Sequence, residues 1–151
     1  MISLYYDTLT KDSFCEAKEG VLQLLTPQQK ELVPILGKRS GYESGYSKEE
    51  ACHKAGFPWV ESRDFWGQLE SGGTPVLHLL PECASYLHVQ MESALDAGDH
   101  LVTLCKLIST GEWDNNLKIV KFRTLDSTTA PVAMDHHNVL YTGLLREEGI
   151  I

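Results

Sequence analysis

Asp99 and His100 adjoin at the mouth of an apolar run, in the stretch LDAGDHLVTLCKLISTGEW. A carboxylate beside an imidazole is a unit of acid–base chemistry, because the acid can orient the ring and favour its charged form. Consecutive side chains of a regular strand point to opposite faces, however. Two strand residues in sequence cannot readily hydrogen-bond each other. The competing reading makes Gly98-Asp99 a turn and His100 the first residue of the strand. A hydrolase built on this pair also needs a nucleophile and an oxyanion site, and no motif supplies either.

Other residue groupings are weaker. Asp135, His136 and His137 invite a metal reading, but ligands must converge from several segments and no further histidine or acid has supporting spacing. They read as two exposed loop histidines, with no metal. Lys38-Arg39, followed by Ser40, is the only notable basic pair, and it reads as a helix end or an anion grip. Cys15, Cys52, Cys83 and Cys105 form no CxxC and no zinc spacing. They read as free thiols of a reducing compartment, with Cys15 and Cys105 as small core residues. GxSxG, HExxH, P-loop and GxGxxG motifs are all missing from the sequence.

Composition narrows the function classes. The 151 residues carry 13 basic and 21 acidic side chains, a net charge of −8, which opposes a nucleic-acid role. No apolar run reaches the roughly 18 residues of a membrane span, and MISLYYDTLTKD lacks the basic start and cleavage site of a secretory leader. The expectation is one domain over residues 1–151, soluble and intracellular, in cytoplasm or plastid stroma, with no nucleic-acid or membrane partner.

The elements that must position these residues are mainly strands with flanking helices. ISLYY reads as a short strand. Thr10 is the expected N-cap of a helix over 11–19, stopped by Gly20, and VLQLL reads as a buried strand. Thr26-Pro27-Gln28-Gln29 is a capping box with proline at the first helical position, and Pro34 should bend or interrupt the helix it opens. SGYESGYS reads as a loop, and Ser47 with Glu50 opens a short helix that Gly56 closes. Gly72-Gly73 and Pro75 signal a turn. In SYLHVQME the alternation places Leu87, Val89 and Met91 on a dry face and Tyr86, His88, Gln90 and Glu92 on a wet one. Strands over 86–92, 101–108 and 117–124 predict an antiparallel meander. VLYTGLLREEGII reads as a short strand followed by a brief helix or an extended tail, with Ile150 and Ile151 docked within the chain or against a partner.

GDHLVTLCKLIS resembles the Gly-Asp-His-plus-strand signature of the flavin reductase-like, FMN-binding split-barrel family. DTLTKDSFCEAKEGVLQLLTPQQKELVPILGKRSG is similar to that family's upstream order of threonine turn, helix, strand and helix. GGTPVLHLLPECASYLHVQM and NVLYTGLLREEGII resemble its exposed barrel strand and closing segment. The resemblance implies an antiparallel Greek-key split β-barrel, α+β overall, that binds FMN and takes hydride from NADH or NADPH. It implies a homodimer, or a partner chain that completes the barrel. The family's first two or three strands have no counterpart, which makes the barrel partial or N-terminally truncated. A non-catalytic interaction subunit or remnant of the fold is the alternative. Carried over by position, His100 lies near the flavin and nicotinamide as the catalytic candidate. Thr8 and Thr10 fall where the family's turn nears the flavin phosphate, and Lys38, Arg39 and Ser40 follow from the loop after the second helix.

Overall fold

The computed structural model describes residues 1–62, 77–125 and 138–151. The turn expected at Gly72, Gly73 and Pro75, and the pair His136-His137 with Asp135, lie outside them.

The chain opens with strand β1 (Ile2–Tyr5), in which Ile2 and Leu4 are half-buried while Ser3 and Tyr5 face out. Helix α1 (Leu9–Ala17) follows. Its N-cap is Thr8 and not Thr10: the Thr8 hydroxyl accepts from the Lys11 N–H at 3.3 Å and donates to the Tyr5 carbonyl at 2.8 Å. One hydroxyl therefore ends β1 and starts α1. The helix stops at Lys18, which takes a left-handed φ of 60°. Gly20 instead lies within β2 (Glu19–Leu24), opposite Val89. A Cβ there would meet the Phe14 ring at 3.2 Å, so the glycine lets α1 close on the sheet.

The expected helix after Thr26 is split. Pro27–Gln29 is a single 3₁₀ turn, and α2 (Leu32–Gly37) begins after it. Pro34 does not interrupt α2, because it sits in the first turn, where its missing N–H has no intrahelical partner anyway. Gln29 is fully buried and serves both sides of the break: its Oε1 accepts from the Thr26 N–H at 3.0 Å, and its Nε2 donates to the Pro81 carbonyl at 2.7 Å. Helix α3 (Lys48–Lys54) starts at the expected cap, with Ser47 Oγ accepting from the Glu50 N–H at 3.2 Å.

β3 (Val60–Ser62) and β4 (Leu77–Leu79) pair as a small antiparallel sheet. The main sheet runs β1-β6-β5-β2 in space, with every pairing antiparallel. Its centre is the hairpin of β5 (Ser85–Asp96) and β6 (His100–Asp114). β6 is long enough to pair with β1 over residues 100–103 and with β7 (Ile119–Thr124) over residues 109–114. The predicted meander is therefore β5-β6-β7. Among the described residues β1 and β2 have no outer partner strand, so the sheet is open and the barrel is not closed. The expected closing strand at the C-terminal end is not formed. Instead the Leu140 N–H bonds the Leu25 carbonyl at 2.7 Å, and α4 (Thr142–Glu147) buries Leu145. Ile150 is half-buried, but Ile151 is 53% exposed.

The core gathers Leu32, Cys52, Leu79, Leu80, Cys83, Tyr86 and Val120. Tyr86 is fully buried and its hydroxyl is satisfied twice, donating to the Leu80 carbonyl at 2.6 Å and accepting from the Cys83 N–H at 3.1 Å. Burial pushes the Cys83 thiol up to about 11. The predicted faces of β5 are thus corrected. Tyr86 and His88 point inward, and Val89 joins them because the ladder with β6 shifts between His88 and Val89. A bulge breaks the period of two on which the alternation rests. Cys15 and Cys105 are half-buried satellites and not core residues.

Candidate functional site

A cavity of about 520 Å³ opens beneath the start of α1. Its walls include Tyr5, Asp7, Thr8, Thr10, Lys38, Arg39, Ser40 and Lys48. The size lies within the ordinary range for small-molecule sites, about 300–1,000 Å³. Five residues singled out from the sequence (Thr8, Thr10, Lys38, Arg39 and Ser40) converge here from two segments some thirty residues apart.

Each is placed by local chemistry. Thr8 is fixed by its capping role, and Thr10 occupies the second helical position, where backbone N–H groups lack intrahelical acceptors. Lys38 ends α2 as its C-cap, donating its N–H to the Pro34 carbonyl at 3.1 Å. Ser40 Oγ accepts from the Tyr42 N–H at 3.2 Å, which shapes the loop behind it. Gly41 lies against Leu9, where a Cβ would come within 2.8 Å, so the loop can approach α1 closely. Tyr42 Oη then bonds Asp12 on α1 and locks the two segments together. Hydrogen bonds from Lys11 and Tyr42 hold the Asp12 carboxyl below its ordinary range.

The cations are not equivalent. Arg39 is held by Glu43, with Nε at 2.8 Å from Oε2, and its guanidinium lies 3.8 Å from the Tyr46 ring centroid. Lys48 donates to the Leu36 carbonyl at the end of α2. Among the described residues the Lys38 ammonium has no ion-pair partner. A chain of net charge −8 thus gathers three cations at one cavity, and one of them is uncommitted. The group suits a phosphate: the Thr10 and Ser40 hydroxyls, the Lys38 ammonium and a helix start all offer donors to an anion.

His100 does not line this cavity, but its neighbour Tyr5 does. β1 pairs with β6 so that Tyr5 stands opposite His100, and the two rings lie 3.9 Å apart. Asp99 and His100 do interact: Nδ1 is 2.5 Å from Oδ1. The strand-geometry objection fails because Asp99 is in the turn, one residue outside β6, where side chains do not alternate. Tyr5 and Lys48 were not identified from the sequence. The outward phase of Tyr5 in ISLYY is legible, but its partner across the strand is not.

A second constellation lies inside. His88 Nε2 is 3.2 Å from Glu19 Oε2, and its Nδ1 is 3.4 Å from Ser109 Oγ. His88 is 6% exposed, so the expected solvent-facing histidine is a buried bridge between β2, β5 and β6. Burial lowers its pKa, partly offset by Glu19. Among the described residues no three His, Cys, Asp or Glu side chains gather as a metal-ligand set. No helix among them is long and apolar enough to cross a membrane.

No family model matches the chain, and neither does any curated protein. Solved structures do match. An FMN-binding protein of Thermus thermophilus with bound p-hydroxybenzaldehyde aligns at a TM-score of 0.53 and 16% identity, over 86% of this chain and 71% of its own. The NADH:FAD oxidoreductase SgcE6 of Streptomyces globisporus aligns at 0.51 and 13% identity, over 83% of this chain and 67% of its own. Component B of a nitrilotriacetate monooxygenase from Mycobacterium thermoresistibile gives 0.51 and 13%, over 93% of this chain and 72% of its own.

The chain has a flavin reductase-like fold. It is a partial, open form of the antiparallel split barrel, and it spans 53% of one structure it matches and 67 to 72% of these three.

Proposed function

We propose that the chain is a flavin reductase-like protein that binds FMN and takes hydride from NADH or NADPH. One observation carries this reading: Thr8, Thr10, Lys38, Arg39 and Ser40 meet at a single cavity, next to Tyr5 and His100, within this fold. The donors present fit a phosphate monoester. Thr10, Ser40 and Lys38 would hold it, with Thr8 fixing the helix start beside it, Lys48 adding charge and Arg39 available on release from Glu43. His100 would meet the ring end as a polar, non-covalent contact. When bound, a flavin supplies the redox chemistry, and the protein's part is orientation and electrostatics.

Titrating FMN into the purified chain while recording the visible flavin bands tests the reading. Saturable perturbation of those bands, with NADH or NADPH oxidation dependent on added flavin, is the expected result. Unchanged bands at high micromolar FMN would overturn it.

The proposal extends to a homodimer. Leu95 is 69% exposed, Tyr5 62% and Leu104 49%, and Leu95 stands opposite Val102 across β5 and β6, with Leu104 two residues further along β6. An apolar stripe of this kind supports burial against a second copy. Light scattering should give a dimer that Leu104→Glu dissociates; a monomeric parent chain would remove this part of the proposal.

A further inference from the structure

A second cavity, of about 420 Å³, is walled by β1, α1 and β2. Ile2 and Leu4 come from β1, Phe14 and Ala17 from α1, Val21 from β2 and Val89 from β5. An apolar cavity of about 150 Å³ already takes up benzene, so this one has room for an aromatic ring with a short alkyl chain. The Phe14 ring is its aromatic surface. It packs on Gly20, where a Cβ would meet it at 3.2 Å.

One side chain breaks the apolar wall with a charge. Glu19, the first residue of β2, lines the cavity and is half-buried. Its Oε2 is 3.2 Å from His88 Nε2. Burial holds that imidazole toward its neutral form, so the ring does not cancel the carboxylate's charge. Among the described residues no lysine or arginine pairs with Glu19, and no hydrogen bond uses its Oε1. A carboxylate drawn partly out of water gains from a cation brought in by a ligand.

The cavity assigned to the phosphate has the opposite character. The two share Leu4, Leu9 and Thr10. One presents Lys38, Arg39 and Lys48, the other a carboxylate, so each disfavours the other's ligand.

We infer that the cavity under α1 binds a small amphiphilic cation. Its aromatic or alkyl body lies among Ile2, Leu4, Phe14 and Val89, and its ammonium pairs with Glu19 Oε1. The site is separate from the one proposed for FMN, and it binds without chemistry.

Calorimetric titration of the full chain, with no flavin present, tests this with probes of similar size: 2-phenylethylamine, 2-phenylethanol and 3-phenylpropionate. The amine should bind about tenfold more tightly than the alcohol, the worth of one charge-assisted contact, and the carboxylate should not bind over the same range. A glutamine can still donate to or accept from His88. Glu19→Gln should therefore keep the parent's circular dichroism and bind amine and alcohol alike. Ala17 lines the cavity from an exposed position of α1, so Ala17→Trp should fold and exclude both probes.

Equal affinities for amine and alcohol in the parent overturn the inference. So does amine binding that survives Ala17→Trp, which puts the probe elsewhere, and so does no amine binding at millimolar concentration. Flavin takes no part in these titrations, so their failure and the failure of the flavin reading are separate results.

Discussion

The two ends of the β5–β6 hairpin carry opposite surfaces. At one end Tyr86 faces Gly111 and the hydroxyl, the Cys83 amide and the Leu80 carbonyl satisfy each other in a dry core. At the other, Asp96 faces Leu101, the Gly98-Asp99 turn follows, and Leu95 and Leu104 stand in solvent. The difference separates two jobs. The first end pairs the Tyr86 hydroxyl internally and makes the fold. The second, with the cavity beside it, leaves Nε2 of His100, the Lys38 ammonium and exposed apolar side chains without partners among the described residues, which suits a binding surface.

The contrast can be broken from either side. Tyr86→Ala should have the largest effect, a loss of about 3–5 kcal/mol from the emptied core site alone. Denaturant unfolding measures it, and a loss below about 1 kcal/mol, the scale of an ordinary surface change, would mean that this end is not the core. Lys38→Ala should do the reverse. FMN affinity should fall about tenfold with the unfolding midpoint unchanged, because one charge-assisted contact is lost from an exposed site. Equal FMN affinity in parent and variant would remove Lys38 from the cavity's function.

Thr8→Ala sharpens the comparison because it touches both jobs. It deletes an N-cap, worth about 1 kcal/mol, and with it the hydroxyl that fixes the helix start at the cavity. A stability loss without an FMN effect would assign Thr8 to the fold alone. The smallest effect concerns pH. Burial holds the His88 pKa below its unfolded value, so the folded chain binds this proton less readily. Stability from His88 is then present above the unfolded pKa, about 6.5, and is lost as pH falls through the folded one. The slope cannot exceed about 1.4 kcal/mol per pH unit for one proton. His88→Gln should flatten this part of the acid limb in pH-dependent unfolding, whereas an unchanged slope would show that other groups govern it.

Local chemistry was legible wherever neighbours in sequence decide it. The Ser47 cap of α3, the Thr26–Gln29 box and the order of β5, β6 and β7 follow from short-range pattern and hydrogen bonding. The family resemblance also picked out Thr8, Thr10, Lys38, Arg39 and Ser40 from two separate segments. The failures came where contacts distant in sequence overrode the local pattern. The Lys18 carbonyl is taken by Met91, so the helix ends before Gly20. Packing across the sheet buries His88 in phase with Tyr86, a histidine of polar phase turned inward onto Glu19 and Ser109, and the bulge after it brings Val89 to the same side.

By itself, then, the sequence determined most of the element types and the antiparallel centre, because caps, turns and periodicity act over a few residues, and its family resemblance singled out the residues that offer donors to an anion. Only the tertiary structure decided that those donors share one cavity, that Tyr5 lies on His100, and that Asp99 reaches the ring from outside the strand. Each of these depends on strand register and on a turn's exact placement, which are fixed by packing between segments far apart in the chain.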